Sequence, residues 1–264
     1  QRLERLRSDD TEDYQLISLY YQFAKYLMVS SSRPGTLPAN LQGVWAEKLI
    51  NPWNADYHTN INLQMNYWQV ETANIAECCL PLFDYMNEYL LEPGKKTARD
   101  YYRAQGTVVH HLSDIYGFTA PADGIWGLWP LGGAWLAYHM WEHYLFGGDR
   151  DYLENTAYEY IRQSALFFMD YMFEGPDGTM LTGPSSSPEN RYYFGGEAIS
   201  ICLSPTMDTE IIGGLLRLYI AAEAIVARNR EDSKRAESIL KKMPDLMVGK
   251  HGQLMEWLED YDEP

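Results

Sequence analysis

The chain of 264 residues reads as all-α, an array of helix pairs with long loops gathered on one face. Three observations predict this. Apolar residues recur at helical spacing through most of the sequence. Gly, Pro and Ser stand where those stretches begin and end. Three connections, 32–60, 115–133 and 174–204, are rich in Gly, Pro, Trp and Asn. They exceed the usual link between packed elements, and long loops on a rigid scaffold tend to carry function.

The first helix is expected over 11–31, with Leu16, Ile17, Tyr20, Phe23, Ala24 and Leu27 on a core-facing stripe,. A second runs from Asn66 through Trp68, Ala73, Ile75, Ala76 and Cys79 until Pro81 breaks it. Pro81 can then open a short helix, because a first-turn residue has no helical N–H bond to lose. Residues 96–113 also read as helical, with a weaker pattern. Residues 134–146 form a helix closed by Gly147-Gly148,. Residues 151–173 carry the clearest stripe: Leu153, Ala157, Ile161, Ala165, Phe168 and Met172. Ser204-Pro205 opens a helix as cap and first-turn residue. It reaches about residue 228, weakened by Gly213-Gly214, and a short polar helix follows at 231–241,. That makes about eight helices, with short strands expected inside the loops, for instance around 179–183,.

Composition narrows the function. A hydrophobic content of 46% supplies a real core. The net charge of −16 repels phosphate backbones, so no nucleic-acid partner is expected,. No run of about 18 apolar residues is present to span a membrane. Cys78, Cys79 and Cys202 fit neither a metal-site spacing nor a disulfide framework, and read as buried thiols,. No phosphate loop, dinucleotide fingerprint, nucleophile elbow or Cys/His nucleophile pair occurs, and no cofactor is expected. The first residue, Gln1, and the acidic end "WLEDYDEP" suggest cuts through a longer protein. The aromatic content of 14% serves either the core or stacking on sugar rings.

Four stretches could carry chemistry. In "HTNINLQMNYW", amide or imidazole side chains occupy every second position: His58, Asn60, Asn62, Gln64 and Asn66. Amides orient water and bind hydroxyls without adding charge. The competing reading is helix capping, favoured for Asn66. In "TGPSSSPEN" (182–190), a Pro-fixed loop ends in Glu189-Asn190. A carboxyl held there suits a general acid if burial beside aromatics raises its pKa; a solvated turn is the plain alternative. In 124–144, Trp126, Trp129, Trp135 and Trp141 fall within sixteen residues, and Trp135, His139 and Glu142 share a helical face. Gly132-Gly133 admits close backbone approach there. The fourth pattern, His139-Met-Trp-Glu142-His143, has the H-x-x-E-H form of a zinc peptidase helix, with ordinary helix-face packing in an aromatic environment as the plain alternative.

Taken in order, "LQGVWAEKLINPWNADYHTNINLQMNYW" (41–68), "WPLGGAWLAYHMWEHYLFGGDRDYL" (129–153), "TGPSSSPEN" and "SPTMDTEII" (204–212) resemble glycoside hydrolase family 95, the inverting α-L-fucosidases. The resemblance covers most of 15–260. It implies an (α/α)6 barrel, of which the helices here make roughly two thirds, with a β-rich domain ahead of it. It therefore implies that 1–264 is part of a single catalytic barrel. It implies that Asn60 and Asn62 activate water together with an Asp, and that Glu189 is the general acid. His58 matches the form that prefers fucose over L-galactose, while Trp135, Glu142 and Asp208 are implied near the sugar. The implied substrate is a fucosylated oligosaccharide or glycan, with export as the family's habit where glycans of a host or plant are attacked. The matching Asp lies on a later segment, and Asp260 and Asp262 stand in the wrong context to replace it. The chain by itself is therefore expected to be inactive. A catalytically silent sugar-binding domain and an α-L-galactosidase are the alternatives.

Overall fold

The computed structural model describes residues 13–122 and 124–262; residues 11 and 12 of the expected first helix lie outside them, as do the last two of the acidic end. It is all-α, with short two-stranded ribbons only in the loops. Helix α1 (Tyr14–Ser31) starts where Asp13 accepts from the Leu16 N–H. The expected stripe is present, but much of it faces outward: Ile17 is 63% and Tyr20 77% exposed. Among the described residues, nothing covers it. The helices form an open array and close no barrel.

Two boundaries differ from expectation. The helix expected from Asn66 instead begins at Asn62 and is short: α2 (Asn62–Tyr67). Ala76–Cys79 then turns into one continuous helix, α3, over 80–102. Pro81 occupies its first turn as expected. Pro93 lies inside it without ending it, just past the widened turn Met86–Leu90,. No helix spans 96–113. Arg103 takes the left-handed conformation that ends α3, and the chain returns extended through Thr107, Val108 and Val109, which are buried. It ends in strand β2 (Leu112–Ser113), paired antiparallel with β1 (Tyr57–His58).

Helix α4 (Gly132–Gly147) is closed by left-handed Gly148, whose N–H reaches Tyr144 O at 2.7 Å. Asp149 caps the next helix, α5, continuous over 150–171. Six short strands then shape the long loop, starting with β3 (Phe173–Glu174) paired with β4 (Met180–Leu181), and β5 (Ser185–Ser186), whose partner is distant. The ribbon β6 (Tyr192–Phe194) with β7 (Glu197–Ile199) follows, and β8 (Ile201–Cys202) returns to pair with β5. Helix α6 (Thr206–Val226) packs against α4, α5 and α7 (Arg230–Leu240). It runs unbroken through Gly213-Gly214. A Cβ at Gly214 would lie 1.8 Å from the Tyr138 hydroxyl, which donates to Ile211 O at 2.8 Å. The glycine therefore permits close α4–α6 packing. The three cysteines are buried and unpaired.

Candidate active site

The strand end that leads into Asn60 lies against the N-terminal turn of α4, where a Cβ at Gly132 would stand 2.5 Å from the Thr59 hydroxyl. Trp53, Asn54 and Ala55 all take left-handed φ angles, turning the chain into Asp56 and β1. Asp56 accepts from His58 Nδ1 at 2.5 Å and so fixes that ring, which meets His111 edge-on. Thr59 joins β1 to the opposite strand twice: its N–H donates to His111 O and its hydroxyl to His110 O. Asn60 follows, 7% exposed, and its amide oxygen is buried without a protein donor. An unpaired buried acceptor costs about 1–3 kcal/mol, so its orientation calls for a function.

The alternation of the opening motif does not define one face. Strand β1 ends at His58, residues 59–61 form a turn and Asn62 starts α2, so no single period of two runs through the motif,. Asn62 is exposed. Gln64 is buried, its amide donating to Thr59 O at 2.6 Å. Asn66 is not a cap; it lies inside α2 and donates to Asn40 O. The polar row thus divides into groups near the α4 end (His58, Asn60, Asn62) and groups that tie the local fold.

Trp135, in the first turns of α4, packs against Trp68 and Trp129 with ring centroids 6.4 and 6.5 Å apart. Trp129 is fully buried. Glu142 lies seven residues beyond Trp135, about 10 Å further along the helix. Its side chain is exposed, and its pKa is raised by partial desolvation and then by the Glu71 carboxylate. It stands apart from Asn60.

The H-x-x-E-H reading finds no support. Glu71 accepts from His143 Nδ1 at 2.6 Å. His139 is buried against Tyr67, and burial lowers its pKa to about 4. Among the described residues, no group of three or more His, Cys, Asp or Glu is arranged to hold a metal ion.

The loop 182–190 touches the turn just ahead of α4. Strand β5 packs on the turn Gly124–Leu128, just ahead of α4, and the Arg191 guanidinium lies 6.0 Å above the Trp126 ring. The Gly183–Pro184 and Pro188–Glu189 peptide bonds are cis. Glu189 is exposed, not buried beside aromatics as the sequence suggested, and its carboxylate makes no hydrogen bond or ion pair among the described residues.

The loop around Glu189 is heavily bonded. Asp208, in the first turn of α6, is 0% exposed. It accepts from Thr182 Oγ1 at 2.7 Å and Ser185 Oγ at 3.0 Å. Complete burial pushes its pKa up to about 7 against those two bonds. Both oxygens are thus taken by the loop, so Asp208 anchors it and does not face a sugar. Ser204 also differs from expectation: its hydroxyl accepts from Thr182 N at 2.7 Å and does not cap α6. Glu256, which sequence reasoning missed, accepts from Ser187 Oγ and from Asn190 Nδ2.

The sequence model of the Glycosyl hydrolase family 95 catalytic domain matches residues 1–264. The chain is 41% identical over 99% of its length to "Alpha-L-fucosidase 2" of Arabidopsis thaliana, and covers 31% of that protein. It is 32% identical over 93% of its length to "Probable alpha-fucosidase A" of Aspergillus niger, again 31% of that protein. It therefore spans about a third of the length of these relatives. A solved structure named for a kojibiose phosphorylase, from human microbiome, shares the fold: TM-score 0.64 at 10% identity, over 90% of this chain and 33% of that one.

Proposed function

The chain belongs to glycosyl hydrolase family 95, within its catalytic domain, and from that premise we propose that the whole protein removes terminal α-L-fucose from oligosaccharides or glycans with inversion. The observation that carries the reading is the Asn60 amide oxygen, buried beside the α4 N-terminus with no protein donor. A water donating to that oxygen is oriented for attack, and the exposed Asn62 amide supplies a second contact. Glu189 protonates the leaving oxygen from the other face of the sugar. Its exposure and freedom from ion pairs suit a group that must meet substrate. In an inverting enzyme the two sides stand about 6.5–9.5 Å apart, leaving room for the water. His58, fixed by Asp56, and Trp135 supply the sugar contacts.

Amides do not accept the water's proton, so the step needs a carboxylate base. We assign that role to an Asp outside these residues. By themselves, residues 1–264 are expected to release little or no fucose. The chain is read as part of one helical-barrel catalytic domain, in which further helices cover the outward apolar face of α1, with a β-rich domain ahead.

The test compares full-length wild type with Glu189→Gln on an α-fucosylated oligosaccharide, following released fucose by NMR. The expected first product is β-fucose, with the rate reduced about 10²- to 10⁴-fold in the variant. α-Fucose as first product would overturn the inverting mechanism. An unchanged rate in Glu189→Gln would remove Glu189 as the acid.

A further inference from the structure

The loop bearing Glu189 is gripped by one helix end at two separate points. Ser204, just ahead of α6, and the helix's first turn hold its beginning directly: Ser204 takes the Thr182 N–H, and Asp208 takes the Thr182 and Ser185 hydroxyls. The same turn holds its end through an intermediary. The Thr206 N–H donates to Glu256 O at 3.0 Å, and its hydroxyl donates to Met255 O at 2.5 Å. Residues 255 and 256 are thus clamped to α6, with Met255 and Trp257 buried on either side of Glu256. The Glu256 side chain then reaches back to the loop. One of its oxygens, Oε1, accepts from Ser187 Oγ and from Asn190 Nδ2, the latter at 2.8 Å. Those donors lie two residues before Glu189 and one after it. The turn between them is closed by Asn190 N on Ser187 O at 2.7 Å.

We infer that Glu256 is a positioning residue for Glu189: it fixes, through Ser187 and Asn190, the short turn from which the acid projects. The inference rests on the reading of Glu189 as the general acid. The Glu189 carboxylate has no bond of its own to hold it, so its aim is set by the backbone on both sides. Charge-assisted bonds to a single carboxylate oxygen hold that backbone more firmly than neutral ones. An acid protonates an alkoxide leaving group only within hydrogen-bond reach, about 2.6–3.2 Å. Loosening the turn therefore weakens proton delivery first, while sugar binding by His58 and Trp135 on other elements persists.

The discriminating experiment varies the leaving group. An oligosaccharide leaves as a sugar alkoxide and needs the proton; α-L-fucosyl fluoride loses fluoride and does not. In the full-length protein, Glu256→Ala is expected to lower kcat on the oligosaccharide about 10- to 10²-fold, with KM nearly unchanged. On the fluoride the change should stay under about threefold. Glu256→Gln, which keeps an acceptor oxygen, should recover most of the loss. Asn190→Ala removes one bond at an exposed residue without disturbing the core, and should show the same split more weakly. Equal loss on both substrates in Glu256→Ala and Asn190→Ala, with a clear split in Glu189→Gln, would leave Glu256 merely structural and overturn the inference. Absence of the split in Glu189→Gln itself would instead sink the acid assignment.

Discussion

Gly132 and Gly133 are adjacent in α4, yet alanine at the two positions should behave differently. A Cβ at Gly132 would stand 2.5 Å from His110 O, 2.5 Å from Thr59 Oγ1 and 2.9 Å from Thr59 Cβ. Ordinary contact begins near 3.4 Å, so something must move by nearly 1 Å. Neither obstacle can swing aside alone. His110 O is backbone, and the Thr59 hydroxyl donates to that same carbonyl. The displaced segment is the one that presents Asn60. Overpacking of this kind costs about 1–3 kcal/mol, and the better helix propensity of alanine returns at most about 1 kcal/mol. A shift near 1 Å in a positioned group can cost about 10²-fold in rate. A Cβ at Gly133 would meet the Tyr160 hydroxyl and Val109 Cγ2, each at 3.1 Å, which a few tenths of an ångström relieve. Urea unfolding and fucose-release kinetics on the full-length protein measure both effects. Gly132→Ala should be destabilised by about 1–2 kcal/mol with unchanged slope, and should lose 10- to 10²-fold in kcat. Gly133→Ala should stay within about 1 kcal/mol and threefold. If the two variants match in both assays, the close approach of α4 to β1 does not position Asn60.

Two further predictions concern pH. Burial raises the Asp208 pKa to about 7, above the unfolded value of about 3.9. Its contribution to stability is thus fully present below about pH 4 and is lost as pH rises through 7. Asp208→Asn cannot ionise, so the stability of the variant relative to wild type should improve from pH 5 to pH 8; a difference constant across that range in chemical unfolding would refute the burial argument. Burial instead lowers the His139 pKa to about 4, so its neutral form supports the fold above about pH 6.5, and that support is lost as pH falls through 4. His139→Phe removes a ring nitrogen that has no partner. It should match wild type at pH 7 within about 1 kcal/mol and exceed it at pH 5; a variant equally or more weakened at pH 5 would show that His139 is not held neutral.

The helices that carry their own punctuation were legible in the sequence. Gly148 ends α4, and Pro81 opens α3. Where burial is all-round, the pattern fails. Thr107, Val108, Val109, His110 and His111 are all buried, so no polar face marks a period and an extended segment passes for a helix. The α1 stripe was legible as apolar, but its partner is not among the described residues. At the site, the residue types of Asn60 and Glu189 announced themselves in compact motifs. Their supports did not, because those are long-range: Glu256 is 69 residues from Ser187 and 66 from Asn190. Within an acidic stretch nothing distinguished it from its neighbours.

Asp208 carries the sharper lesson. The family resemblance implies Asp208 near the sugar. Its complete burial and two hydroxyl donors instead make it part of the loop's foundation. The first turn of α6 thus uses both its carboxylate and Thr206 to hold the loop, and the exposed Glu189 carboxylate is left without a bond among the described residues. This division suits a loop that must present a general acid. The buried, hydroxyl-bonded Asp208 supplies rigidity at a cost in desolvation,, and on the proposed reading the Glu189 carboxyl is kept clear of partners that would compete with the leaving oxygen. The same logic acts across the α4 end, where Asp56 fixes His58 and Thr59 fixes the strand, while the Asn60 oxygen is left without a donor. On the proposed reading, the Asn60 oxygen and the Glu189 carboxylate are the unpartnered groups given to the chemistry, and Thr59, Ser187 and Asn190 beside them are hydrogen-bonded.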